Sequence, residues 1–278
     1  MNDPITIAAV AVLVLILLYS AVWLLWWELP KWQLTHLRGL ADDKAKADVE
    51  DNFRKTAGQL LGGVIVLLGA GLGTVFAYLQ FQQQQSSRDL LISNQVSKGF
   101  EQLGSDKLVV RLGGIYALEG VMNTSKQYGQ PVLEALSAFV RDSTSTNEGD
   151  GPPATDVQAA LTVIGRRKVV GHVNLAGAHI PHANMFEANL QDVYFFNANL
   201  ARAYIFRADL TNAHLRNANL RNANLTGADL RYTDLTNADL TETDLRGATV
   251  TQAQLDQACG TNVKLDPKLT IKPCPADD

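Results

Sequence analysis

Apolar and polar positions follow one another along this chain with a period that changes from stretch to stretch. Residues 5–27 read ITIAAVAVLVLILLYSAVWLLWW and hold no charged side chain. At the rise of an α-helix they extend roughly 35 Å, enough to cross a hydrocarbon layer of about 30 Å. Trp23, Trp26 and Trp27, then Lys31 and Trp32, form the aromatic and basic border expected at a membrane interface. No Lys or Arg precedes the run and no A-x-A-like site closes it, so residues 1–28 read as a retained anchor, not a cleaved signal peptide. A polar connector over 29–58 leads to a second apolar stretch, 59–81, with LLGGVIVLLGAGLGTVFAY at its centre. Gly58 with Gly62, and Gly69 with Gly73, have the small-residue spacing that lets helix backbones approach. These glycines are candidate packing positions against the first helix or a second copy of the chain; ordinary membrane-helix composition accounts for them equally well.

After a polar stretch from Gln82 to Arg88, the pattern over 89–168 is helical. Leu108, Leu112, Ile115, Leu118 and Met122 fall at spacings of 4, 3, 3 and 4, one stripe of a helix. Gly129 and Pro131 predict a loop and then a helix beginning at the proline, which buries Val132, Leu136, Phe139 and Val140. The run TSTNEGDGPP breaks the pattern. Thr155 with Gln158 predicts a capping box for a last helix through Val157, Leu161 and Ile164, ending near Gly165. The helix pair carrying Arg111 and the Ala117–Leu118 step resembles a HEAT or armadillo unit. One such unit lacks the neighbours it normally stacks on, so the segment is expected to be a helical adaptor over the open end of the region that starts at Gly171.

From Gly171 a five-residue frame begins and does not slip. Its apolar centres run from Leu175, Ile180, Met185, Leu190 and Phe195 through to Val250 and Leu255, seventeen in all. Two residues before each centre stands a small side chain, Ala in 13 of the 17, and between the two is usually Asn or Asp. A period of five fits neither 3.6 nor 2, so neither a helix nor a flat strand gathers these centres on one face. A square coil does: one repeat per side, four sides per turn, the centre and the small residue inward, and turns stacked at a strand spacing of about 4.8 Å.

These residues resemble the pentapeptide-repeat family, A(D/N)LXX, most plainly in ANLRNANLTGADLRYTDLTNADL at 218–240. The resemblance implies a mainly β fold, a right-handed quadrilateral β-helix over 171–258 behind an α-helical N-terminal part, with 259–278 as a capping tail. Some acidic β-helices of that family imitate duplex DNA and bind gyrase. In this chain Asp229, Asp234, Asp239 and Asp244 fall one per side, and residues 171–258 hold nine acids among six arginines. That is a poor copy of a phosphate backbone, and no nucleic-acid partner is expected.

A coil filled by Leu and Ala leaves no interior pocket. The chain also lacks phosphate-loop, nucleophile-elbow and dinucleotide motifs, so neither catalysis nor a cofactor is expected. His172, His179 and His182 take outward positions in the frame and do not converge as metal ligands must. The net charge of −4 supplies no global field for polyanions. Cys259 and Cys274 are a candidate disulfide in the tail or two ordinary thiols. Lys31, Arg38, Lys44, Lys46, Arg54 and Lys55 crowd the connector, which places it on the cytoplasmic side and both ends of the chain outside. The expectation is an integral protein of a bacterial cytoplasmic membrane that acts as a non-catalytic scaffold for an unidentified protein partner; gyrase binding and a homo-oligomer built on the glycine-rich helix are the alternatives. Phe186, Tyr204 and Phe206 occupy outward slots on one side of the first two turns, and Tyr194 and Phe196 on another. They are the candidate interaction surface, but the expectation is that the helical segment, tethered next door with apolar faces to spare, folds back over them.

Overall fold

The structure, a computed structural model, describes residues 13–14, 16–17, 19–28, 43–145 and 149–275. Contacts divide the chain into two units, Met1–Ser86 and Ser87–Asp278. In the first unit the described part of residues 13–28 is helical and ends in a π-helical turn, Leu24–Glu28. The rest of the first expected span, and the connector up to residue 42, lie outside the described residues.

Helix α1, Asp43–Leu103, runs 61 residues without a break. The helix takes in residues 43–58 of the polar connector and continues through the polar stretch at Gln82–Arg88. The segment up to Gly58 holds no Gly or Pro, and Glu50–Arg54 and Asp51–Lys55 pair one turn apart at 2.6 and 3.0 Å. At the other end Gln, Ser and Arg are tolerated in helices, and the Ser86 hydroxyl donates back to the Gln82 carbonyl at 3.0 Å. Among the described residues α1 alone is long and apolar enough to cross a membrane; its most apolar 18 residues have a mean hydropathy of 2.2 and none is buried.

In the second unit the end of α1 packs with α2 (Leu108–Thr124), α3 (Lys126–Thr144) and α4 (Thr155–Gly165). The expected stripe buries Ile115, Leu118 and Met122, while Leu108 at its start is exposed. α1 and α2 touch closely: a side chain at Gly114 would meet the backbone of Gly99 and Leu103 at 2.9 Å. Pro131 lies inside α3, which starts five residues earlier than expected; the Val169 side chain closes over buried Gly129 and holds that first turn. Asp156, buried, joins α4 to α2 through Arg111 at 2.6 Å. One apolar core continues from α2, α3 and α4 into the coil.

The coil begins with paired parallel strands β1 (Val173–Asn174) and β2 (Val193–Tyr194). Bridges then join residues twenty apart, from His179 with Asn199 to Asp244 with Lys264; four five-residue sides therefore make a turn. The centres from Leu175 to Leu230, and again Leu240 and Leu245, donate their N–H one turn forward (Leu175 to Tyr194, 2.8 Å), and from the second turn on the residue before the centre donates one turn back (Asn199 to Ala178, 2.9 Å). The Asn or Asp side chain accepts the N–H two residues on, as Asn199 does from Ala201 at 3.1 Å and Asp234 from Thr236 at 2.9 Å. The second residue after the centre turns the corner in the left-handed region: His182, Glu187, Arg207, Asn217 and Tyr232 have φ of 50–61°. Inside, Thr233 and Thr243 replace alanine, and each buried hydroxyl donates to a backbone carbonyl, of Leu210 and Leu220, at 2.7 Å.

Both ends of the coil are closed by side chains that stand in for a missing strand. At the start, the Gln158 amide donates to the Asn184 carbonyl at 2.7 Å and accepts from the Asn184 N–H at 2.9 Å. That engagement replaces the expected capping box; Ala154 is the N-cap of α4, without a side-chain cap. Gln130 makes the same double bond to the backbone of His172. Thr144 accepts from the His179 N–H, Gly165 accepts from Asn189, Arg141 donates to the Asn174 carbonyl, and Arg167 donates to the Asn189 and Gln191 carbonyls. Each of the four sides thus receives a helical partner.

At the far end the frame does not stop near 258, since Cys259 and Lys264 still bridge to Asp239 and Asp244. Leu255 is buried, yet it belongs to a short helix, α5 (Gln252–Leu255), and not to a coil side. The capping box that closes α5 is Thr251 with Gln254.

Candidate functional site: the aromatic faces of the coil

The twenty-residue register separates the five aromatic residues into two clusters. Phe186, Tyr204 and Phe206 share the third side, with ring centroids 5.8–6.1 Å apart and planes within 9°. Tyr194 and Phe196 lie on the first side, the opposite face of a four-sided coil, as the repeat frame places them. His214, absent from the aromatic set expected from the sequence, stacks on Tyr194 at 4.6 Å and on Phe196 at 5.5 Å. Its position twenty residues after Tyr194 was the available signal.

Contrary to expectation, the helical segment does not fold over the third side. Phe186 is 48% and Tyr204 40% exposed, because α2, α3 and α4 spend their apolar faces on their own core and on the first-turn edge. α4 reaches only the rim, where Leu161, Gly165 and Arg166 with Asn184, Phe186 and Glu187 line a cavity of about 230 Å³. Arg207 lies over Phe206, 5.1 Å from its centroid, and 3.9 Å from Glu187.

The acids of the later turns are committed to the coil itself. Asp229 holds Arg231 through both oxygens and Asp244 holds Arg246 at 2.6 Å, while Asp239 holds Arg221 at 3.1 Å. The guanidinium bonds keep the Asp229 carboxyl below the ordinary range and bring Asp244 down to about 2; the Thr236 hydroxyl does the same, in direction, for Asp234. No continuous acidic stripe results. Burial lowers the Arg167 guanidinium, against the pull of Asp192 and Asp209.

The remaining candidate positions scatter. Gly58 packs near Trp26, where an added methyl would sit 3.8 Å from the indole, and Gly62 lines the same cleft of about 540 Å³ with Tyr19, Trp23 and Trp27. Gly69 and Gly73 face open space. His179 is tied to the Gly149 carbonyl and to Asn199, away from His172 and His182. Cys259 and Cys274 are joined as a disulfide, Cα atoms 4.7 Å apart. The bond pins the tail, which also pairs through Gly260 N–H with Lys272 O at 2.9 Å and through Gln252 with Thr270. Asp239 lies beside the two sulfurs, within 4.8 Å; with the sulfurs bonded to each other and Arg221 on the carboxylate, the group serves as a cap.

The family description of the pentapeptide repeats, in eight copies, matches residues 203–247 and 223–259. Among solved structures the chain is similar to the pentapeptide repeat protein Rfr23 from the cyanobacterium Cyanothece 51142, at 28% identity over 37% of this chain and 67% of that one, with a TM-score of 0.28. It is similar to alr5209 from Nostoc Pcc 7120 at 40% identity, over 34% of this chain and 77% of that one, TM-score 0.25. A trypsin-treated form of QnrB1, a plasmid-mediated fluoroquinolone resistance protein, matches at 18% identity over 34% of this chain and 58% of that one, TM-score 0.18, too low to carry a functional argument. No curated protein matches the chain. Seen from its ladder and its sequence alike, the C-terminal coil of this chain is a stack of pentapeptide repeats.

Proposed function

We propose that the protein is a non-catalytic, membrane-anchored display scaffold whose coil presents an interaction surface on its third side. The observation that carries this reading is the exposed aromatic cluster at Phe186 and Tyr204, on a coil whose interior is filled by side chains. Exposed apolar patches of this kind mark interaction sites, and rigid aromatic residues make effective anchors at low entropic cost. The apolar stretch of α1 supports the anchor, and the lysine and arginine of the connector support an outward coil.

The test substitutes Phe186 and Phe206 together with Ser and compares covalent cross-linking in native membranes. The expected result is a folded variant, destabilised by about 2 kcal/mol through the three lost ring pairs, that loses cross-linked products of the wild type. Unchanged products from a folded variant would reject this surface. A large loss of stability would instead mark the rings as structural.

A further inference from the structure

We propose that the third side of the coil binds a neutral glycan chain laid along the coil axis, with sugar rings on Phe186 and Tyr204 and hydroxyls held by the amides of Asn184 and Asn224. This rests on the interaction-surface reading above and gives it a ligand class.

Three features of this face favour that chemistry. The first is the column Asn184, Tyr204, Asn224, residues bridged one turn apart. On the neighbouring side the asparagine amides are used up by one another: Asn219 donates to Asn199 at 3.1 Å, and Asn199 to His179. Tyr204 breaks such a ladder here. The oxygens of Asn184 and Asn224 accept the N–H of Phe186 and of Thr226, and among the described residues neither amide nitrogen donates to a protein group. A ring flanked by two uncommitted amide donors suits a ligand with an apolar ring face and a polar edge, which is the surface of a pyranose.

The second feature is charge. Glu187 opposes Arg207, Asp244 lies between Arg246 and Lys264, and Asp266 accepts from the Gly247 N–H beside them. Three acids and three bases cancel locally, so the face offers no field to a charged polymer. The third feature is spacing. Successive turns stand at strand distance, about 4.8 Å, close to the length of one β-linked sugar residue, so a chain along the axis keeps its register from Phe186 to Tyr204 and on to Asn224. An apolar peptide would use the rings but leave the amide donors unpaired, a desolvation cost that disfavours it.

The experiment uses the full-length protein in a detergent without a sugar head group, titrated calorimetrically with cellohexaose and with chitohexaose. Saturable binding of at least one is expected. Tyr204→Ser and Asn224→Ala should each weaken it by about tenfold or more, Tyr204→Phe less, and Phe196→Ser, on the opposite face, not at all. Melting curves establish that each variant is folded, and Asn224→Ala alone suffices if Tyr204→Ser is not. No saturable binding of either oligosaccharide overturns the inference, as does equal weakening by Phe196→Ser. If glycans fail to bind while Phe186→Ser with Phe206→Ser still removes cross-links in membranes, the glycan inference falls and the display-scaffold reading stands.

Discussion

The Asp244 carboxylate accepts the Arg246 N–H at 3.2 Å, lies 2.6 Å from its guanidinium and 3.6 Å from the Lys264 ammonium. The Asn or Asp of the repeat therefore has two uses, closing the local turn and, at Asp229 and Asp244, pairing with an arginine two residues on. Only the first is needed for the coil, since Asn199 and Asn224 close their turns without charge. The folded carboxyl titrates near 2, below its ordinary value of 3.8. A group depressed in this way contributes stability above its unfolded value, lost as the pH falls through the folded one. Thermal unfolding should therefore shift down between about pH 4 and pH 2, with Asp229 and Asp234 adding in the same direction. Asp244→Asn keeps the turn acceptor and should flatten that shift; identical pH profiles for variant and wild type would show the pair to be irrelevant. The residue scale was partly legible in advance. The Asn/Asp slot is visible in the repeat, whereas the left-handed corner at Glu187 or Tyr232 is not, because the stacked ladder imposes a conformation that the side chain alone does not choose.

Three glutamines show how helices attach to the ends of the coil. Gln130 and Gln158 meet the first-turn backbone, and Gln254 donates to the Leu230 and Thr233 carbonyls at 2.7 and 2.9 Å. A primary amide offers the same donor and acceptor as a peptide bond, so it completes a ladder without supplying a strand, and it protects an edge that would otherwise recruit one. Replacing Gln158 with Leu keeps its size and removes both bonds to Asn184. The expected cost is about 2 kcal/mol for the two bonds, with faster hydrogen exchange at the Asn184 amide than at Tyr204 one turn on. Exchange at Asn184 unchanged from wild type would mean that the amide is covered by something other than Gln158. From the sequence, Gln158 reads only as a local capping residue, because Thr155 stands three positions before it. Its true partner is 26 residues away, a distance that spacing within one helix does not register. α1 likewise runs on through the polar residues 82–88, where no Gly or Pro breaks it.

At the scale of the molecule, the proposed outward topology and the tail disulfide make one joint prediction. Oxidising compartments keep disulfides, and the bacterial cytoplasm reduces them. A thiol label applied to the protein from intact cells should therefore modify Cys259 and Cys274 only after reduction, and a reporter fused at Gly149 that is active only in the cytoplasm should be silent. Two freely reactive thiols with an active reporter would turn the topology over. The coil, its register and its filled interior were already legible in the order of residues, because a five-residue period repeated seventeen times admits one way to gather its apolar centres. The apolar stretch of α1 was likewise marked as a membrane candidate, since hydropathy over such a length is a property of composition alone. The same frame already set Phe186, Tyr204 and Phe206 on one side and Tyr194 and Phe196 on another. Packing in three dimensions was needed to set the helices over the end of the coil with Phe186 left bare, and to carry the ladder on to Lys264. Those outcomes depend on which apolar faces meet in space, and a face already buried against α2, α3, α4 and the first turn has nothing left to cover its neighbour.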